Sequence, residues 1–271
     1  MRQASGSLAD LYIQQFKTTF ASMVAYRASL LIWMIAHVLE PLIYLVVWST
    51  VSNSGGGSAG GYTTAQFAGY FIVLMLVDHV SYTWIMYEYE YRVREGMLSP
   101  ALLRPVHPIH ADIADNISSK MVTLPFMLAI AGGMALLFHP QAAPRWWALV
   151  AAVPALALAF LLRFMAEWTL ALAAFWTTRI GAINQTYFVA MLFLSGQMAP
   201  LTLFPAPIQV LAAVLPFRWM ISFPVELLLG RLTPLDTLTG LGVQMAWVVL
   251  AFVLMRLMWR AGIRIYSAVG A

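Results

Sequence analysis

Apolar and polar positions fall into long blocks along this chain. In residues 8–26, Leu8, Leu11, Tyr12, Phe16, Phe20, Met23 and Val24 recur every three or four positions, with Gln14, Lys17, Thr18 and Ser22 mostly between them. One apolar stripe on a helix too polar to span a bilayer predicts an amphipathic helix in the membrane interface. Long apolar runs follow, comparable to or longer than the ~20 residues a transmembrane helix needs. They predict spans at residues 28–51, 64–87, 121–138, 146–176, 182–199 and 235–258.

The segments between the runs are equally patterned. Ser52–Gly61 reads SNSGGGSAGG, a flexible linker too short to be a domain. His139-Pro140 closes the third run, and Trp146-Trp147 marks a membrane–water boundary. Between Ile180 and Phe217 there is no Asp, Glu, Lys or Arg, yet Pro200, Pro205, Pro207 and Pro216 interrupt the stretch. This predicts a broken apolar hairpin over residues 203–230. Its Pro216, Arg218, Pro224 and Glu226 disfavour a full crossing and favour a re-entrant or interfacial pair of short helices. Thr233-Pro234 with Asp236 reads as a helix start, with a hydroxyl cap, a first-turn proline and an acid near the positive dipole end.

Composition fixes the class. The chain is 62% hydrophobic and 10% charged, against about 25% charged in a soluble domain. The expected fold is an all-α integral membrane protein. It comprises one transmembrane domain over residues 1–271, with six transmembrane helices, an N-terminal interfacial helix and the hairpin before the sixth span. Asp10, Lys17 and Arg27 interrupt the start, so the first run reads as a retained span, not a cleaved signal. With no cysteine, disulfides and thiolate metal sites are excluded.

Charge orients the spans. With both termini inside, the inner segments hold Arg2, Lys17, Arg27, Arg92, Arg94, Arg104, Lys120, Arg179, Arg256, Arg260 and Arg264. The outer ones hold Arg145, Arg218 and Arg231. The positive-inside rule therefore places both termini in the cytoplasm and the glycine linker and hairpin outside, as expected in a prokaryotic inner membrane. The net charge of +4 is a topological signal, not a sign of nucleic-acid binding.

The densest charge lies in Glu88–Pro108, EYEYRVREGMLSPALLRPVHP, within a cytoplasmic loop expected over residues 88–118. Other ionisable groups fall inside the spans, where each costs about 2.5–3.5 kcal/mol on insertion scales. His37 and Glu40 are three apart, and Arg163 and Glu167 are four apart, a spacing that pairs them on one helix face. Asp78 and His79 sit in the second run without an obvious local partner. A polar substrate path, a proton relay and structural pairing all fit these residues. No G-x-x-x-x-G-K-[ST], H-E-x-x-H or G-x-S-x-G occurs, so the sequence offers no phosphate loop, zinc helix or nucleophile elbow. His107 and His110 lack convincing metal-ligand company. Asn116-Ile117-Ser118 is a glycosylation sequon on the wrong side of the membrane.

Two local stretches carry a resemblance. Arg94-Glu95-Gly96-Met97-Leu98 through Leu102-Leu103-Arg104-Pro105, and Leu215-Pro216-Phe217-Arg218 with Ser222-Phe223-Pro224 and Leu229-Gly230, resemble the cytoplasmic loop and outer hairpin of ABC-2 type exporter permeases. The likeness extends over nearly the whole chain. It implies a non-enzymatic permease subunit that pairs with a second permease, the same chain or a relative, in the lipid bilayer. It also implies two ABC ATPase subunits, which would bind the ATP and Mg; this chain itself would hold no cofactor. The coupling helix would form from Glu88, Glu90, Arg92, Arg94, Glu95, Gly96 and Arg104, with Leu98, Leu102 and Leu103 as an apolar docking edge. The cargo would be amphipathic or lipophilic. The alternatives are a proton-coupled secondary transporter using Asp78 and His79, and a membrane-embedded lipid enzyme.

Overall fold

The computed structural model describes residues 8–177 and 180–266. Arg2, Arg179 and the side chain of Arg94 lie outside the described residues. Helices α1 (Leu8–Ala25) and α2 (Arg27–Ser54) lead into a short antiparallel hairpin, β1 (Ser58–Ala59) with β2 (Tyr62–Thr63). Next come α3 (Thr64–Ser81), α4 (Ile85–Arg94), α5 (Leu98–Leu102), α6 (Ile109–Phe138) and α7 (Trp146–Ala171), the last prolonged by a tighter turn, Leu172–Phe175. The remainder is α8 (Gly181–Leu194), α9 (Ala206–Val214), α10 (Phe217–Met220), α11 (Ser222–Leu228) and α12 (Pro234–Gly262).

Among the described residues, five stretches are long and apolar enough to cross a membrane: Arg27–Ser54, Thr64–Val93, Ile109–Phe138, Trp146–Phe175 and Pro234–Gly262. The fifth run in chain order differs from expectation. Its helix α8 has 14 residues, about 21 Å at 1.5 Å per residue, against an apolar core of ~30 Å. The chain then turns at Ser195–Pro200 inside the bundle. The Tyr70 hydroxyl donates to the Gly196 carbonyl at 2.8 Å, and Trp48 Nε1 donates to the Met198 carbonyl at 2.9 Å. Such partners let non-helical backbone persist away from water.

The second run is also broken. α3 stops at Ser81 and α4 begins at Ile85, although neither proline nor glycine lies between them. The Tyr82 carbonyl, freed by the break, accepts from Lys120 Nζ at 2.7 Å. The segment expected as a loop over residues 88–118 is largely helical, because α4 reaches Arg94 and α6 already starts at Ile109. The glycine linker is shorter than expected, since α2 runs to Ser54 and the β1–β2 hairpin takes up the rest. Both hydroxyl caps close reciprocally: Thr63 with Gln66 at the start of α3, and Thr233 with Asp236 at the start of α12.

α7 is the central helix. It packs along α12 and also meets α3, α4, α10 and α11. Its buried Ala148, Ala152, Ala155 and Ala159 present the small-residue face that allows close helix approach in membranes. Phe223 of α11 joins Ala148, Ala152 and Ala155 in one apolar cluster. Gln244 Nε2 on α12 donates to the carbonyls of Ala155 at 3.1 Å and Trp219 at 2.8 Å. α1 is fastened to α6, with Gln15 Nε2 and Thr19 Oγ1 each 3.0 Å from Asp115 Oδ1. Its apolar Leu8, Phe16, Phe20 and Val24 face outward.

Candidate functional site

The break at residues 82–84 organises a buried ionic cluster. Arg163 on α7 is 2% exposed, with Nη1 2.6 Å from Asp78 Oδ1 and Nε 2.8 Å from Glu167 Oε1. The expected Arg163–Glu167 pairing along one helix face is therefore present. Asp78 gains the partners that local sequence did not show: Arg163, and Gln197 Nε2 at 3.0 Å. Ser81 Oγ accepts from Arg163 Nη1 at 3.2 Å. Glu167 also accepts from the Thr83 hydroxyl and from Tyr187 OH, the latter at 3.2 Å. Two carboxylates thus share one guanidinium. The break exists because Thr83 turns into this cluster rather than continuing the helix.

His79 does not join the cluster. Its Nε2 is 2.9 Å from Thr123 Oγ1 on α6. His37 lies ring to ring with Trp33 at 4.0 Å and Tyr82 at 4.6 Å. Glu40, one turn further along α2, has no hydrogen-bond or ion-pair partner among the described residues. It lines a cavity of about 510 Å³ together with Asp78, Arg163, Trp33, Tyr82 and Trp84. A second cavity of about 520 Å³ shares Trp33, Tyr82 and Trp84 and extends beneath α1 to Glu88, Asp115 and Lys120. The aromatic walls and the break between α3 and α4 were not read from sequence. The polar run Asp78-His79 and Ser81-Tyr82-Thr83 inside an apolar stretch was the available signal.

At the end of the bundle below α4 the expected coupling residues divide into two groups. Arg92 is an anchor, with Nη2 2.5 Å from Glu88 Oε1 and Nη1 2.6 Å from Asp112 Oδ1. Trp168 Nε1 donates to the other oxygen of Asp112 at 3.0 Å, so α4, α6 and α7 meet at one carboxylate. Leu98, expected on a docking edge, is fully buried in the core; α5 uses it to pack inward. Glu90 and Leu102 are half-buried, Glu95 and Arg104 are exposed, and Leu103 is 88% exposed. Gly96 makes the turn between α4 and α5 with φ +69°, a left-handed conformation costly for residues bearing a Cβ. Ser99 Oγ and the Tyr266 hydroxyl lie 2.9 Å apart, tying α5 to the chain beyond α12. His107 lies against Trp259, ring centroids 4.5 Å apart. His107 is exposed as a residue, but partial desolvation of its ring holds the imidazole below the usual pKa, aided by His110 and Arg256 and opposed by Asp112.

In the hairpin before α12, Arg218 Nη2 lies 3.4 Å from Glu226 Oε2, and Ser222 Oγ donates to Glu226 Oε1 at 3.0 Å. Pro216 precedes α10, its carbonyl accepting from Trp219 N at 3.1 Å, and Pro224 is buried within α11. The two charges partner each other, apart from the ionic cluster around Arg163.

A family model described as ABC-2 family transporter protein matches residues 38–270. No curated protein matches the chain.

Proposed function

The chain belongs to the ABC-2 family of transporters, and from that premise we propose that it is the permease subunit of an ATP-driven exporter, powered by separate ATPase chains. Two ABC ATPases bind ATP and Mg, and a second permease, the same chain or a relative, completes the path. Six membrane-inserted elements bring both termini to the cytoplasmic side. α1 lies in the interface with its apolar face toward lipid, and α9–α11 form a re-entrant hairpin on the outer side.

The observation that carries this reading is the exposed segment made by the α4–α5 turn and the end of α5. Met97 is exposed in the turn and Leu103 and Arg104 are exposed just after α5, while Arg92, Asp112 and Leu98 fix the segment to the bundle. An exposed apolar segment on a rigid base suits docking into a partner's groove. ATP-driven closure of the ATPase pair would press on this turn and switch the access of the path.

The test is co-purification with an ATPase encoded beside it, followed by ATP-dependent export from vesicles. Purified alone, the chain should hydrolyse no ATP. Gly96→Pro cannot adopt the left-handed turn and should abolish ATP-driven export while the protein still inserts. Wild-type export by that variant would remove the coupling role of this turn. ATP-independent transport by the chain alone, driven by a proton gradient, would replace the proposal with a secondary carrier.

A further inference from the structure

The 510 Å³ cavity beside the ionic cluster has an unusual charge balance. Glu40 sits within the 28-residue apolar helix α2 and has neither a hydrogen bond nor an ion pair among the described residues. An ionised carboxylate in an apolar span is costly unless it meets a counter-charge or water. Arg163 acts on Glu40 only from a distance and makes no ion pair with it, because its guanidinium is already held between Asp78 and Glu167. Lys120, the nearby ammonium, lies on the other side of Tyr82, with Nζ on the Tyr82 carbonyl, and lines the neighbouring cavity instead. Among the residues lining this cavity, the two carboxylates Asp78 and Glu40 thus outnumber the one guanidinium, Arg163.

Much of the remaining wall is aromatic, beside the aliphatic Val189 and Leu192 and the amides of Gln185 and Gln197. Trp33, Tyr82 and Trp84 contribute rings, with Phe188 opposite on α8. Ring faces attract cations, and more strongly where water is excluded. The volume lies within the range of small-molecule sites, about 300–1,000 Å³. Apolar walls, several ring faces and one unpaired carboxylate together fit a bulky cation whose charge is spread over an apolar body.

We propose that this cavity binds hydrophobic organic cations, with Glu40 as the counter-charge and Trp33, Tyr82 and Trp84 as the aromatic walls. That these cations are cargo rests on the permease reading above; that they bind does not. His37, which also lines the cavity, packs against Trp33 and Tyr82 and orients both rings.

The test compares two ions of matched shape and opposite charge, tetraphenylphosphonium and tetraphenylborate. Saturable binding to the purified full chain in nanodiscs is measured as the excess over empty nanodiscs. Tetraphenylphosphonium should bind saturably and quench tryptophan fluorescence; tetraphenylborate should show no saturable component. Glu40→Gln should weaken phosphonium binding at least tenfold, and Glu226→Gln, in the hairpin pair, should leave it unchanged. Trp84→Leu, at an exposed wall position, should also weaken it and serves as the second variant if Glu40→Gln lowers the thermal midpoint. Equal affinity for both ions, or undiminished phosphonium binding by folded Glu40→Gln, overturns the proposal. ATP-driven export of another cargo would survive that result, and phosphonium binding would survive failure of ATP-driven export.

Discussion

Arg163 Nη1 lies 2.6 Å from Asp78 Oδ1, joining α7 to the end of α3 next to the helix break. The same guanidinium holds Glu167 through Nε at 2.8 Å. Removing one partner from a buried ionic network leaves charge uncompensated, at a cost of about 3–5 kcal/mol. Arg163→Met should therefore lower the thermal midpoint of the detergent-solubilised protein sharply. Adding Asp78→Asn and Glu167→Gln should recover much of the loss. A triple variant no more stable than the single would show that packing of the arginine stem, rather than charge, dominates.

Leu103, at the end of α5, offers a cleaner probe of the proposed docking segment. It is 88% exposed, so Leu103→Asp should change stability by no more than about 0.5 kcal/mol. If this segment docks on the ATPase, the same change should reduce substrate-stimulated ATP hydrolysis of the assembled complex at least tenfold. Unaltered hydrolysis would move the docking surface elsewhere.

Gly240 tests the seat of the hairpin. A Cβ on Gly240 would come within 2.0 Å of the Phe223 ring, and Phe223 is buried at 2% exposure. Overpacking of this kind costs about 1–3 kcal/mol. Gly240→Ala should lower the unfolding midpoint, and Phe223→Leu in the same chain should restore part of it. If Gly240→Ala unfolds like the wild type, α11 is free to withdraw from α12.

His107 gives a pH dependence. Its folded-state pKa is below its ordinary value because its ring is partly desolvated, so the unfolded chain binds the extra proton first. Its contribution to stability is complete above the unfolded pKa, about 6.5, and is lost progressively as pH falls from there through the lower folded pKa. Thermal midpoints measured from pH 7.5 to 5 should fall less steeply in His107→Asn than in the wild type. Identical slopes would assign the acid sensitivity to other groups.

Much of the architecture was legible in the sequence. Length and hydropathy place the long helices, the four-residue spacing pairs Arg163 with Glu167, and Thr233 with Asp236 announces α12. What the sequence hid depends on contacts between distant segments. The break after Ser81 has no proline or glycine to betray it; it follows from Thr83 reaching Glu167 and Lys120 reaching the Tyr82 carbonyl, bonds that span 84 and 38 residues. The short α8 was read as a longer helix because apolar content continues past Leu194, whereas Tyr70 and Trp48 capture the carbonyls of the turn. Leu98 and Leu103 look alike in sequence, yet their places on and off one turn of α5 send one into the core and the other into the open. The unpaired state of Glu40 is likewise invisible until the positions of every cation around it are known.

α4 has 10 residues, about 15 Å of helix, and it is held at both ends. Just before its first turn Thr83 grips Glu167; in its last turn Arg92 grips Asp112. It is thus a rigid strut between the exposed segment and the buried ions. If the proposed ATPase does press on the segment after α4, a movement of α4 as a unit would strain the Thr83–Glu167 bond at its far end.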